Sequence, residues 1–357
     1  MKKGWPLWLA GTVGVLVPGA LAAQDNVYCF QANVLGTLAE FVVAAPTRQK
    51  ARLATGAALA EIARLDCVLS RYRPDSELCR LNLAREMRVS PDLFAVLGQA
   101  EELQKRSGGA FSARMGGVEA LWRAADTSAP EAAALHRAVK SAQQQPYLDP
   151  ANRIVGRPEG LVFSVDALAK GYIVDRALDA ARRIVGPGGL LIDIGGDLRC
   201  HGSPGCQQSW HVGLADARLP YANAPLVAQV KLRDQAIATS GRGVRDRIIG
   251  GTAYGTTLSP RSGMPVTAHL AASVLPAPSR ARPPMYGPAR TARSRVSCTR
   301  YFCCCSCWSQ RPRRGSSHLP PWRGCWSLSA GTWRKKRNSC ACWPTGAKRW
   351  SCSPHSR

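Results

Sequence analysis

From Arg280 to Arg357 the chain has no aspartate or glutamate, although 17 of its 48 Lys and Arg residues fall there. The remainder holds 31 basic residues against all 23 acidic ones, so the formal charge of +25 does not describe the chain as a whole. A basic nucleic-acid or membrane-surface protein is therefore a reading of the tail alone. Cysteine is scarce in the same region where acids are present: only Cys29, Cys67, Cys79, Cys200 and Cys206 of the 14 precede Arg280. No Gly-X-Y period, sustained heptad or second long apolar run appears, which excludes collagen-like, coiled-coil and multi-span membrane classes. The Walker lysine pattern and H-E-x-x-H are also missing, and Ser240 has Ala238 where a G-x-S-x-G elbow needs glycine.

The amino terminus reads as an export signal. Met1-Lys2-Lys3 supplies the positive start, Trp5 to Val17 the apolar stretch, and Ala20-Leu21-Ala22 the small-x-small cleavage pattern. The apolar run is short of the ~20 residues a membrane span needs, and Pro18-Gly19 interrupts it. Residues 1–22 are expected to be removed after Ala22, leaving a periplasmic protein that can sit at the inner membrane's outer face. There Cys200 and Cys206 would be either a small-loop disulfide or ordinary buried thiols.

Residues 23–279 are long enough for an ample core. Leu38 to Ala44 predicts a strand, and Leu59, Ile62, Leu65 and Leu69 recur at helical spacing. Ser90-Pro91 opens a second helix with an apolar face of Leu93, Val96, Leu97, Ala100 and Leu103, and Lys105-Arg106 before Gly108 closes it. A third starts at about Leu168 and carries Val174, Ala177, Leu178, Ala181 and Ile184. Leu190 to Ile194 predicts a buried strand ending in Gly195-Gly196-Asp197, and Leu226, Ala228, Val230 and Leu232 alternate as in a half-buried strand. Gly186-Pro187-Gly188-Gly189 precedes a strand, so it is a turn and not a phosphate cradle. Without a strict strand–helix rhythm, the expected class is mixed α/β or α+β in a single domain.

Several short polar segments gain meaning from their order. SRYRPDSELCRLN at Ser70 to Asn82 comes first, followed by Gly109-Ala110-Phe111, Leu121-Trp122, and Ala169-Lys170-Gly171-Tyr172 with Asp175. Ile194-Gly195-Gly196-Asp197, Trp210-His211-Val212-Gly213, Ala238-Thr239-Ser240-Gly241, and Pro260-Arg261-Ser262-Gly263 with Pro265 complete the set. This succession, from about Leu35 to Val274, resembles the ApbE family of FAD:protein FMN transferases. The resemblance implies a single T-fold-like domain that splits FAD with Mg²⁺ and attaches FMN to a threonine of an acceptor flavoprotein. That acceptor would be a subunit of a membrane redox complex or a periplasmic reductase, with no nucleic-acid partner.

It also implies a site. Leu35, Tyr72, Ser112, Ala113, Arg114, Ser164, Lys170 and Leu258 stand at cofactor-binding positions, and the carbonyl of Ala167 at a metal-ligand position. A flat tyrosine ring suits a flavin or adenine, and a lysine suits phosphate or ribose. The plain alternatives are a rim tyrosine for Tyr72, a solvated helix lysine for Lys170, a core leucine for Leu35 and a tight turn for Gly195-Gly196.

The chain departs from the family at chemically costly places. Ser112 and Ser164 stand where the family carries aspartates. Thr256 stands where it carries a histidine, the natural proton acceptor, and Ser259 where it carries an aspartate; threonine cannot take a proton near neutral pH. His269 lies in an apolar stretch and reads as structural. With Thr256 in place, a flavin-binding protein without transfer is the second reading.

The tail, 280–357, reads as out of frame. The family continues past this point to an Ala-Asp-x-x-Ala-Thr/Ser segment that completes the metal site, whereas this chain has Pro283-Pro284-Met285-Tyr286-Gly287-Pro288. The codons CCG CCG ATG TAT GGG CCA followed by GC, read from the last base of the first, give Ala-Asp-Val-Trp-Ala-Ser. A frameshift between about Val274 and Pro284 is the expectation. Cys303-Cys304-Cys305, Cys307, Cys340 and Cys342 lack paired zinc spacing, and Arg334-Lys335-Lys336-Arg337 is a generic anion attractor. Such a tail is expected to be disordered or prone to aggregate.

Overall fold

The computed structural model describes residues 13–15, 26–205, 207–215, 226–241, 246–266 and 271–274. These belong to the first of two compact units, Met1–Ser327; the second, Leu328–Arg357, lies outside the described residues, as do Ala22, Cys206, His269 and the whole tail from Arg280.

In chain order the elements are β1 (Val13–Val15), β2 (Val27–Val34), β3 (Thr37–Ala44), α1 (Arg48–Leu69), α2 (Glu77–Leu83), β4 (Glu86–Arg88) and α3 (Pro91–Arg106). They continue with α4 (Gly116–Ala124), α5 (Ala132–Ala142), β5 (Tyr147–Asp149), β6 (Ile154–Gly156), α6 (Asp166–Val185), β7 (Leu190–Ile194) and β8 (Asp197–His201). The last are β9 (Trp210–Ala215), β10 (Leu226–Leu232), β11 (Ala236–Gly241), β12 (Arg247–Ile249), β13 (Thr252–Tyr254) and β14 (Ala271–Val274).

Local chemistry sets the helix ends. Thr47 and Ser90 cap α1 and α3 by accepting the Lys50 and Leu93 N–H groups at 3.2 and 3.3 Å, and Pro91 fits the first turn because it needs no donor there. α6 ends at Gly186, whose φ of 74° is open to glycine at little cost. The helix begins at Asp166, two residues before the expected Leu168, because the Leu168 and Ala169 N–H groups already bond the Val165 carbonyl.

A six-stranded sheet in the order β14-β11-β8-β7-β3-β2 organises the domain, with every neighbouring pair antiparallel. That makes the class α+β. Alternation along the strands divides its faces. Ala39, Phe41 and Val43 with Leu190, Ile192 and Ile194 share one core with α1, α3 and α6. Val42, Ala44, Leu191, Leu198 and Cys200 share another with Trp210, Val212 and Leu232 of β9 and β10. Each fully buried leucine or phenylalanine contributes about 2–3 kcal/mol. The Gly186–Gly189 turn allows close backbone contact: a side chain at Gly189 would collide with the Ser203 carbonyl. β1, inside the expected leader, pairs antiparallel with β9, Val13 opposite Leu214. No helix among the described residues is long and apolar enough to cross a membrane. The Cys200 thiol is free, buried, and bonded to the Gln235 carbonyl at 3.4 Å.

Candidate functional site

One end of the sheet brings Leu35 and Lys170 to the two glycine turns. The β2–β3 hairpin turns through Leu35 and Gly36, at φ 51° and 71°, and β7–β8 through Gly195 and Gly196, at φ 58° and 92°. The two turns abut: a Cβ on Gly195 would sit 2.8 Å from the Thr37 hydroxyl, and the Gly195 N–H bonds the Leu38 carbonyl at 3.2 Å. The Thr239 N–H reaches the Gly196 carbonyl at 3.3 Å, which brings the Thr239-Ser240-Gly241 segment to the same place. A left-handed turn residue is ordinarily Asn or Gly, so the leucine at 35 is held there against its own preference. Gly195-Gly196 is the tight turn, and also a point of close backbone approach.

The amino-terminal turns of α6 border this end. Lys170 Nζ lies 2.9 Å from Asp197 Oδ2, and Asp197, the first residue of β8, is 6% exposed. Asp197 Oδ1 is buried without a hydrogen-bond partner among the described residues. At the other side of the turn Asp193 accepts the Gly196 N–H at 2.8 Å. Burial, with Asp197 and Glu40 nearby, pushes the Asp193 carboxyl up from 3.8 to about 7. Glu40 stands opposite Asp193 in the β3–β7 register and is also raised by burial, against the opposing Gln31 hydrogen bond at 2.5 Å.

A second charged group lies where α4, the loop after α1 and the start of α6 meet. Arg71 bonds Glu119 through Nη1, approaches Asp166 Oδ2 at 2.7 Å through Nε, and donates from Nη2 to the Tyr72 hydroxyl at 2.8 Å. Tyr72 is 68% exposed, its hydroxyl 3.4 Å from Asp166 and its ring 4.9 Å from the Arg71 guanidinium and 5.9 Å from that of Arg123. The Ser164 hydroxyl donates to Glu119 at 2.8 Å and its N–H bonds the Ala113 carbonyl at 2.7 Å. Burial raises the Glu119 and Asp166 carboxyls, with Arg71 opposing in both.

Tyr72, Ala113, Ser164 and the residue preceding Ala167 are thus joined in one hydrogen-bonded and ion-paired network, and Lys170 stands one helical turn on. Ser112 accepts the Arg114 N–H at 3.2 Å. The Arg114 side chain points elsewhere: it is buried, paired with Glu101 through both Nε and Nη2, and donates to the Gln144 carbonyl at 2.7 Å and Gln145 at 2.9 Å. Its guanidinium is committed to the fold. Leu258 belongs to a separate cluster with Trp122, Leu135 and Val139. The Trp122 indole N–H bonds the Gly263 carbonyl at 2.7 Å, fixing the Pro260–Gly263 turn to α4. Thr256 is exposed in the loop between β13 and Leu258.

Glu119 and Asp166 were not among the sequence candidates. A lone acid in the apolar Gly116–Trp122 run was the available signal for Glu119; Asp166 looks like any first-turn acid favoured by the helix dipole.

The sequence matches the ApbE family over residues 35–282. The chain belongs to the ApbE family. The FAD:protein FMN transferase of Treponema pallidum (strain Nichols) is 29% identical over 297 residues, 74% of this chain and 79% of that protein. That of Klebsiella pneumoniae (strain 342) is 28% identical over 217 residues, 58% of this chain and 66% of that protein. The fold is that of the ApbE protein from Thermotoga maritima, with a TM-score of 0.64 at 23% identity, covering 70% of this chain and 82% of that one. The apo flavinyl transferase ApbE of Pseudomonas stutzeri gives 0.61 at 23%, covering 70% and 80%.

Proposed function

We propose that this ApbE-family chain transfers FMN from FAD to a threonine hydroxyl of an acceptor flavoprotein, as an exported periplasmic enzyme that uses Mg²⁺. Its relatives' name, FAD:protein FMN transferase, supports flavin transfer. The observation that carries the reading onto these residues is the network joining Tyr72, Ala113, Ser164 and Asp166, one helical turn from Lys170.

In the reaction the threonine oxygen attacks the FMN phosphorus, a new P–O bond forms, the bond to the AMP oxygen breaks, and the hydroxyl proton is released. Tyr72 and Leu35 would flank the ring system, and Lys170 would offer its charge to the phosphates or ribose. Ser112, Ala113 and Ser164 would border the cofactor through backbone and hydroxyl groups. Arg114 would act through its main chain, and Leu258 would close the far wall. Among the described residues no three of His, Cys, Asp and Glu group to hold a metal, and Asp166, beside Ala167, is already paired with Arg71. The Ala167 carbonyl alone does not make a metal site; the other donors implied by the resemblance fall beyond Val274.

Thr256 favours the second reading, a periplasmic flavin-binding protein without transfer. The full chain, and a version with the region after Val274 restored to the neighbouring frame, would be incubated with FAD, Mg²⁺ and a threonine-bearing acceptor. Flavin fluorescence on the acceptor in a gel supports transfer. Bound FAD with an unlabelled acceptor, in both versions, sinks it and leaves binding.

A further inference from the structure

We propose that Arg71 is a positioning residue of the flavin site, setting the Tyr72 ring against the first turn of α6. The inference rests on the flavin-transfer reading for what the ring meets, and on the geometry alone for what holds it.

Among the described residues Tyr72 belongs to none of the hydrophobic clusters. With 68% of its surface exposed, an ordinary loop tyrosine would change rotamer on the picosecond-to-nanosecond scale. Here its hydroxyl is held by Arg71 Nη2 at 2.8 Å and lies 3.4 Å from Asp166, and the ring lies 4.9 Å from the Arg71 guanidinium. Arg71 is itself immobilised. Its side chain is 19% exposed and sits between Glu119 of α4 and Asp166 of α6, ion-paired to both carboxylates. A guanidinium so committed is a poor ligand for phosphate but a good fixture. Its planar fork reaches two acids and a hydroxyl in fixed directions, which a lysine ammonium cannot reproduce. Through Glu119 the same fixture reaches the Ser164 hydroxyl, at 2.8 Å, so one side chain ties the Ser70–Ser76 loop, α4 and the entry to α6 together.

Two variants separate this role from bulk stability. Arg71→Lys keeps the charge and loses the fork. Arg71→Gln with Glu119→Gln removes one charge of each sign, so the net charge of the cluster is kept while Asp166 loses its ion-pair partner and retains Arg123 and Lys170 as nearby cations. In the folded variants the Leu168 and Ala169 amides are expected to exchange about tenfold faster while those of α3 keep their wild-type protection. FAD affinity, read by flavin fluorescence, is expected to fall about tenfold in both. Tyr72→Ala should weaken wild-type binding by a similar factor and add nothing in either Arg71 variant. Folded variants with wild-type exchange overturn the proposal. So does a full Tyr72→Ala penalty in the variant backgrounds. Should the wild type itself not bind FAD, the flavin-transfer reading fails, and the exchange pattern alone decides whether Arg71 couples the loop to α6.

Discussion

Lys170 Nζ lies 2.9 Å from Asp197 Oδ2, and Asp197 has a second carboxylate oxygen that is buried with no hydrogen-bond partner among the described residues. The pair joins α6 to the start of β8 beside the Gly195-Gly196 turn. Lys170→Met would leave Asp197 charged and buried without its cation, at a cost of about 2–4 kcal/mol. Asp197→Asn in the same background should recover most of that loss. Urea unfolding of both variants measures it, and FAD affinity should stay low in the double variant because the ammonium is still gone.

Asp193 gives a pH signature. Its carboxyl rises from 3.8 to about 7 on folding, so the folded protein binds this proton more tightly than the unfolded chain does. The stabilisation is complete below about pH 4 and is lost as pH climbs through about 7. Glu40, opposite in the sheet, shifts in the same direction. Asp193→Asn should flatten this part of the stability–pH curve, the variant gaining on the wild type as pH rises; denaturant midpoints at several pH values provide the check.

Leu35 tests the cofactor-wall reading. Asparagine suits φ 51° far better than leucine, a gain of about 1 kcal/mol or more that offsets the loss of partial apolar packing. Leu35→Asn should therefore keep stability within about 1 kcal/mol of wild type and still weaken FAD binding. A variant that loses stability but binds FAD normally would assign Leu35 to the core instead.

Thr256→His places an imidazole at the position of the family's histidine. The site is exposed, so stability should move by less than about 0.5 kcal/mol. Flavin labelling of the acceptor should rise by about 10²-fold or more if proton removal limits transfer. Equal labelling by both forms would show that this position does not limit the reaction.

The sequence was most informative where periodicity and backbone rules coincide. β7 follows from an apolar run broken only by Asp193, α3 from Ser90-Pro91 and Lys105-Arg106, and the β7–β8 turn from two glycines. The Arg71 network was not legible, because its partners Glu119 and Asp166 lie 48 and 95 residues away and only the fold brings them together. Arg114 shows the opposite case. A motif position placed it at the cofactor, while its neighbours in space, Glu101, Gln144 and Gln145, bind its side chain.

β14 forms an edge of the six-stranded sheet and ends at Val274, where the reading frame is expected to break. Every described strand of that sheet would therefore be encoded upstream of the expected break and leave the ribosome before any out-of-frame residue. A gene broken at this point would lose the donors that the resemblance implies while still specifying the described sheet. Repair by a single base would then act on a domain whose architecture had never been interrupted.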